Sequence, residues 1–397
     1  MLPLENIKIL DFTQLPPGQF CAMMLGDMGA AVIRVEQPPK TSSPEVGGMA
    51  AKWEELLGGT YRGFNRNKKS IILNLRDEEA RQILYELAKG TDVIVEGFRP
   101  GVTRRLGIDY ETLGGINPRL IYCSMSGYGQ TGPYKDMPGH DINYVAMGGA
   151  LQMFGSPPPV IPNFIADYAG ATLHSVIGIL LALVARDKTG KGQQVDVAYT
   201  DGVISLMTQF ACGYLATGDP AAAKAQLGML VSNAGYGVYE TKDGKYISLG
   251  CVEPWFWQNL CLALGRKEFI PEFANWDRQQ EIRGCFAETL LTRTRDEWFE
   301  QFKDRNIAVG KVYDVDEVFR DPQVLHRQML VEVEDSSGAR EKHIGIPIKL
   351  SDTPGMIRST APTPGEHTRQ ILLEMGYTEG EIKRLCQKGT ISLPGRE

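Results

Sequence analysis

The chain has 397 residues, too many for one ordinary hydrophobic core, so two domains are expected. Hydrophobic residues make up 43% and charged residues 23%, the balance of a globular protein and not of a disordered or fibrous one. The net charge of -6 excludes nucleic acid as a bulk electrostatic partner, yet leaves room for a local basic pocket that takes a polyanionic small molecule.

In chain order, IKILDFT reads as a short strand. PPGQFCAMMLGDMG follows with helical spacing and two prolines where a first turn tolerates them. AAVIRVEQ is the next β-branched run. After a Gly/Ser/Pro-rich insertion from Lys40 to Gly59, SIILNL reads as a strand and DEEARQILYELAKG as an amphipathic helix with an acidic start. DVIVEGF and RLIYCSMSG are further strands. ATLHSVIGILLALVARDKTG contains a helix expected to be buried and too short to span a bilayer, and QQVDVAYTDG a strand after it. Alternating strands and helices imply βαβ units and a mostly parallel sheet.

The character then shifts. LATGDPAAAKAQLG reads as a linker, GYGVYETKDGKYISLG as a hairpin, and the stretch from about 254 to 320 as helical. The expected fold is α/β: a large domain from 1–200 and 340–397, a small α+β domain over 225–330, and linkers at 201–224 and 331–339. The N-terminal run MLPLENIKILDF lacks the basic flank of a signal peptide. The seven cysteines lack CxxC spacing, so neither zinc nor a disulfide framework is suggested; reduced cytoplasmic thiols are the simple expectation. No membrane or nucleic-acid partner is expected.

Several chemistries lose ground. The first strand leads into DFTQLPPGQF, without the GxGxxG that brings a pyrophosphate onto a helix N-terminus. Gly190-Lys191-Gly192 lacks the rest of a P-loop, and HExxH, GxSxG and EF-hand patterns are missing. Basic residues cluster at strand ends: Arg66, Lys68, Lys69 and Arg76 around SIILNL, and Arg99, Arg104 and Arg105 after DVIVEGF. Ligands of parallel sheets bind beyond the carboxyl ends of the strands, so Arg99 and Arg105 are expected at phosphates. Arg104 and Lys69 are assigned to solvent. The run PGHDINY, Pro138 to Tyr144, holds one of only five histidines directly before a carboxylate. His140 is either a loop residue satisfied locally or a proton carrier.

Eight segments together decide the direction: LENIKILDFT, LGDMGAAVIRVE, NRNKKSIILNL, VIVEGFRPGVTRRLG, INPRLIY, SGYGQTGPY, TGKGQQVDV and PTPGEHTRQILLEMGY. They resemble the class III CoA-transferase family and, within it, the α-methylacyl-CoA racemases. The resemblance implies a Rossmann-like large domain built from both chain ends and two chains interlocked as a homodimer. It also implies an acyl-CoA substrate, with no metal and no cofactor beyond the CoA moiety of that substrate.

The family hosts two chemistries. Transferases use an aspartate as nucleophile; racemases use a histidine and an aspartate as opposed acid/bases. The matching aspartate, in IADYAGA, is Asp167. GHDINY carries His140 where transferases usually have an aromatic residue, and LGCVEPWFW places Glu253 where racemases carry a carboxylate. The expected activity is inversion at the α-carbon of 2-methylacyl-CoA thioesters; the alternative is CoA transfer with Asp167 as nucleophile.

Inversion needs two groups on opposite sides of a planar enolate, one starting protonated and one not. His140 and Asp167 fill those roles, with Asp141 or Glu253 expected to set the tautomer of His140. A helix starting near Asp141 would offer N–H donors to the enolate oxygen, and Gly139 would let the backbone approach the thioester. The expected CoA-binding set is Leu73, Asn74, Leu75, Arg76, Gly97, Phe98, Arg99, Arg105, Gly139, Ile142, Asn143 and Tyr144. Many relatives carry a basic residue where this chain has Gln37, so Arg34 or the lysines of NRNKKS are expected to hold the adenosine end. Met147, Met153, Phe154 and Trp255 suit an apolar acyl channel or ordinary core packing equally.

Overall fold

Consecutive residues of the central strands enter opposite cores, the mark of a sheet covered on both faces. Leu10, Ile94 and Tyr122 pack into one apolar cluster, while their neighbours Ile9, Val93, Val95, Ile121 and Cys123 pack into another. The computed structural model describes residues 1–38, 59–155, 157–335 and 337–394. Apart from Gly59, the Lys40–Gly59 insertion therefore lies outside the described residues. The chain divides into two compact units, Met1–Leu206 with His326–Glu397, and Met207–Leu325.

In the first unit the strands are β1 (Lys8–Asp11), β2 (Ala31–Glu36), β3 (Lys68–Leu73), β4 (Val93–Glu96), β5 (Ile121–Ser126) and β6 (Gln194–Ala198), all mutually parallel. The order is β3-β2-β1-β4-β5-β6, the doubly wound arrangement of dinucleotide-binding folds, with its switch point between β1 and β4. A short terminal strand, Ile391–Ser392, adds antiparallel beside β3, so both ends of the chain build this sheet. Asp77 caps the helix Glu78–Lys89 by accepting from the Glu79 N–H at 2.8 Å, and Pro16 and Pro17 open the helix Pro16–Asp27.

The apolar helix is longer than the expectation from ATLHSVIGILLALVARDKTG, because a π-helical start at Ile165–Leu173 runs into His174–Thr189. The continuous run Ile165–Thr189 is long and apolar enough to cross a membrane by length and composition alone. Part of it is packed: Ala171, Val176, Ile179 and Leu183 enter the core on one face of the sheet. The other side leaves Leu173, Ile177, Leu180, Leu181 and Val184 exposed.

The small-residue stretch read as a linker is helical, at Thr208–Thr217 and Pro220–Ser232, and belongs to the second unit. Alanine favours helix, and Asp219 accepts from the Ala221 N–H at 2.9 Å at the second helix's start. Residues 331–339 are no linker either, since Leu330–Glu334 and Arg340–Ile344 pair antiparallel. The second unit has its own core, around Trp257, Phe286, Trp298 and Phe302, beneath an antiparallel sheet of Tyr236–Glu240, Tyr246–Gly250 and Val309–Val312.

Arg34, Arg66 and Lys68 are internal. Lys68 is 3% exposed, and its Nζ donates to Asp11 Oδ2 at 2.9 Å, to the Gln19 carbonyl at 2.9 Å and to Asn65 Oδ1 at 3.0 Å. Arg34 donates to the Thr13 carbonyl at 2.9 Å and pairs with Glu36 at 3.3 Å; Arg66 pairs with Asp27. Arg34 and Lys68 are thus committed to the protein interior and do not stand free for an adenosine phosphate. Lys68→Met would leave the buried Asp11 carboxylate without its main partner, at a cost of about 3–5 kcal/mol. Adding Asp11→Leu should recover much of that loss in urea unfolding; equal destabilisation of single and double variants would refute the pairing.

Candidate active site

At the switch point, the carboxyl ends of β1, β4 and β5 open onto a cavity of about 570 Å³. Its walls include Pro16 and Pro17 after β1, Gly97, Phe98 and Arg99 after β4, and Ser126 and Gly127 at the end of β5. Gly139, His140, Asn143, Tyr144 and Asp167 complete the working side. The two side chains expected to carry protons therefore share one cavity.

His140 is the N-cap of the helix Asp141–Met147, and its backbone N–H donates to the Asn143 side-chain oxygen at 3.0 Å. Asn143 is thus part of the turn that aims His140. The N–H groups of Asp141 and Ile142 have no acceptor within that helix, whereas that of Asn143 donates to the His140 carbonyl at 2.8 Å. Gly139 is explained differently from the expectation. A Cβ there would lie 2.6 Å from Tyr144 Cε1, so the position is kept bare by the Tyr144 ring rather than by a substrate. Tyr144 is 8% exposed, and its ring packs edge-on to Tyr128 and Tyr199, with centroids 5.2 Å away in both cases.

Asp167 sits in the first turn of the π-helical segment, half-buried, with a long 3.4 Å contact from Asn163 Nδ2. Burial pushes its carboxyl up to about 6, helped by the nearby Asp141 charge and opposed by Asn163 and His140. Three residues on, Gly170 packs against Gly202: a Cβ on Gly202 would meet the Gly170 carbonyl at 2.1 Å.

Asp141 is not the partner of His140 that the sequence suggested. It is 5% exposed and does not line the cavity. Its Oδ1 accepts from the backbone N–H groups of Ala166 and Asp167, at 2.9 and 2.8 Å. Glu253 belongs to the second unit, where it precedes the helix Pro254–Ala263 at the N-cap position; its Oε2 is enclosed without a partner among the described residues.

The expected CoA-binding residues separate into two groups and two exceptions. Gly97, Arg99, Gly139, Asn143 and Tyr144 line the cavity with His140. Asn74, Leu75, Arg76 and Arg105 line a second cavity of about 550 Å³, together with Gln14 and Gln37. Phe98 lines both. Leu73 lines neither, being a fully buried strand residue of the core, and Ile142 lines neither. Lys69 and Lys68 lie at the opposite, amino-terminal edge of the sheet. Met147 and Phe154 are exposed, so core packing does not account for them; Trp255 lies in the second unit.

Sequence reasoning passed over Glu96, at the end of β4. It is 2% exposed, and its Oε2 accepts from the Phe98 N–H at 2.8 Å, which shapes the turn carrying Phe98 and Arg99. Burial pushes its carboxyl up to about 7, against hydrogen bonds from Ser124 and Phe98. Only its place inside the strand-end motif EGFRPG hinted at a role. Because the folded state holds this proton more tightly than the unfolded one, the associated stability is full below about pH 4.5 and lost as pH rises through about 7. Glu96→Gln removes that loss, roughly 3 kcal/mol, so its urea stability relative to the parent should improve from pH 5 to pH 8. A constant difference would contradict the assignment.

The chain is similar to known proteins along nearly its whole length. Residues 4–368 match CoA-transferase family III. Alpha-methylacyl-CoA racemase from Homo sapiens is 32% identical over 97% of this chain and 96% of its own. Succinyl-CoA--D-citramalate CoA-transferase from Chloroflexus aurantiacus is also 32% identical, over 98% of each chain. The crystal structure of a CAIB/BAIF family protein from Brucella suis superimposes with a TM-score of 0.77 at 30% identity, covering 94% of this chain and 99% of that one. With this sheet order and matches along nearly its whole length, the chain belongs to CoA-transferase family III.

Proposed function

We propose that the protein is an acyl-CoA racemase or epimerase that inverts the α-carbon of 2-methylacyl-CoA thioesters. The observation that carries this reading is the shared cavity: an imidazole and a carboxyl group pushed up to about 6 line the same space. A carboxyl in that range exists in both protonation states near neutrality, as a group that alternates between acid and base must.

In one direction neutral His140 takes the α-proton, and the C–H electron pair moves into an enolate on the thioester oxygen. The carboxylic acid of Asp167 then delivers its proton to the opposite face of the carbon. The cycle leaves His140 protonated and Asp167 ionised, ready for the mirror-image substrate. N–H groups at the start of the helix Asp141–Met147 are suited to the enolate oxygen. The CoA moiety is expected to run past Phe98 into the second cavity, where Arg76 and Arg105 offer charge to its phosphates.

The second reading, CoA transfer with Asp167 as nucleophile, is supported by the equally similar succinyl-CoA--D-citramalate CoA-transferase. We favour the first because a transferase leaves His140 without a task. Further, the exposed apolar side of the long helix, from Leu173 to Val184, suits burial against a second copy, as in the interlocked dimer the resemblance implies. The seven free thiols suit a reducing cytoplasm.

Incubating one 2-methylacyl-CoA enantiomer in heavy water should place deuterium at the α-carbon without any acceptor acid, and His140→Ala should abolish inversion. Where Asp167 is the base, kcat/KM should fall as pH drops through about 6, because its carboxyl is then protonated. CoA transfer to an added carboxylate, with full activity of His140→Ala, would overturn the racemase reading. Sedimentation should give twice the 43.9 kDa of one chain, and Leu181→Asp with Val184→Asp should shift it to a single chain. A parent protein that sediments as one chain would refute the dimer.

A further inference from the structure

We propose that Asp141 is a positioning residue that fixes the spacing between the two proton carriers, joining the backbone beside His140 to the backbone of Asp167 through one carboxylate. The inference rests on the racemase reading and concerns how that site is held.

Four observations meet at this side chain. It follows His140 directly in the chain, so its position and that of His140 cannot be set independently. Its Oδ1 accepts two hydrogen bonds, from Ala166 at 2.9 Å and from Asp167 at 2.8 Å. Those donors belong to the first turn of the segment Ile165–Leu173, which has no acceptors of its own for them. The second oxygen, Oδ2, is enclosed and has no partner among the described residues. A buried carboxylate oxygen left unpaired is costly, and a surface cap would not need to be buried at all.

The same facts remove the alternative roles. At 5% exposure and outside the cavity lining, Asp141 cannot touch a substrate carbon, so it is no proton carrier. Its hydrogen bonds go to the Asp167 side of the site, so it does not set the tautomer of His140. It acts through Asp167, mechanically through the two N–H groups and electrostatically as a like charge. The groups facing the Asp167 carboxyl are His140, Asp141 and Asn163, with the phenols of Tyr144, Tyr168 and Tyr199. Of these, Asp141 is the one that disfavours ionisation by its charge.

Spacing matters because proton transfer to opposite faces tolerates little drift; a displacement of about 1 Å can cost about 100-fold in rate. A loosened Asp167 would no longer reprotonate the far face, although His140 could still remove and return the α-proton on its own side. Exchange would then outlive inversion.

The test compares Asp141→Ala and Asp141→Asn in the full chain, using one 2-methylacyl-CoA enantiomer in heavy water. Asp141→Ala should lower inversion about 100-fold and lower deuterium incorporation at least tenfold less. Asp141→Asn keeps an oxygen for the two N–H groups, so it should restore inversion to within about tenfold of the parent. It also removes the charge, so the acid limb of its pH profile should move below the parent's. Parallel loss of exchange and inversion in Asp141→Ala, or an unmoved limb in Asp141→Asn, would overturn the proposal. If Asp141→Ala does not fold, the limb in Asp141→Asn decides alone. A parent enzyme that exchanges no deuterium would mean that the racemase reading fails. In that case the Asp167 carboxyl can be followed by carbon-13 NMR, identified by its loss in Asp167→Asn. A lower midpoint in Asp141→Asn would support the clamp, and an unchanged one would overturn it.

Discussion

The constraint on which the site depends is that β1, β4 and β5 all leave the sheet on one edge, on either side of the point where the strand order reverses. Parallel strands with crossover helices cannot do otherwise. Each of the three ends then contributes a turn rather than a continuation: Pro16 and Pro17, the Gly97–Arg99 turn, and Ser126 with Gly127. The cavity follows from that convergence, and the segments that bear His140 and Asp167 are draped over it. Phe98 lines both this cavity and the basic second one.

Burial of charge is handled in two contrasting ways in the same unit. Around Asp11 every buried ion is answered: Lys68 has three acceptors, and the Asp11 carboxyl is held below its usual value by Lys68 and Arg34 despite burial. Around the cavity the carboxyls of Asp141, Asp167 and Glu96 are all pushed up, with burial the first cause in each case. The first pattern secures a fold; of the second group only Asp167 lines the cavity, where a raised carboxyl suits proton exchange near neutral pH. Glu96 shows that a raised carboxyl is not by itself catalytic, since its hydrogen bond to Phe98 accounts for its place in the turn.

Much of this was legible in the residues. Alternation of apolar runs with capped helices gave the parallel sheet, and the DEEARQILYELAKG helix is capped by Asp77 and Gly90 as its chemistry demands. The resemblance brought His140 and Asp167 forward, although 27 positions separate them and no local pattern links a loop to a π-helical turn. What escaped was geometry that depends on tertiary packing. Arg34 and Lys68 read as charges for the adenosine end of CoA but are drawn inward by Asp11, a partner 57 residues away from Lys68. Gly139 read as room for substrate, and the room is taken by Tyr144. Asp141 read as a neighbour of His140, while its side chain turns to residues 25 and 26 positions on. The Ala-rich stretch before Asn233 read as a linker because small residues mark both linkers and helices.

The central claim is that one carbon sits between an imidazole and a carboxyl group. A crystal structure with a bound 2-methylacyl-CoA measures this directly. The account predicts the α-carbon between His140 and Asp167, with each side chain approaching from its own face and the thioester oxygen turned toward the helix start at Asp141. A ligand whose α-carbon meets Asp167 alone, or whose carbonyl carbon stands in line with the Asp167 carboxylate, would contradict it.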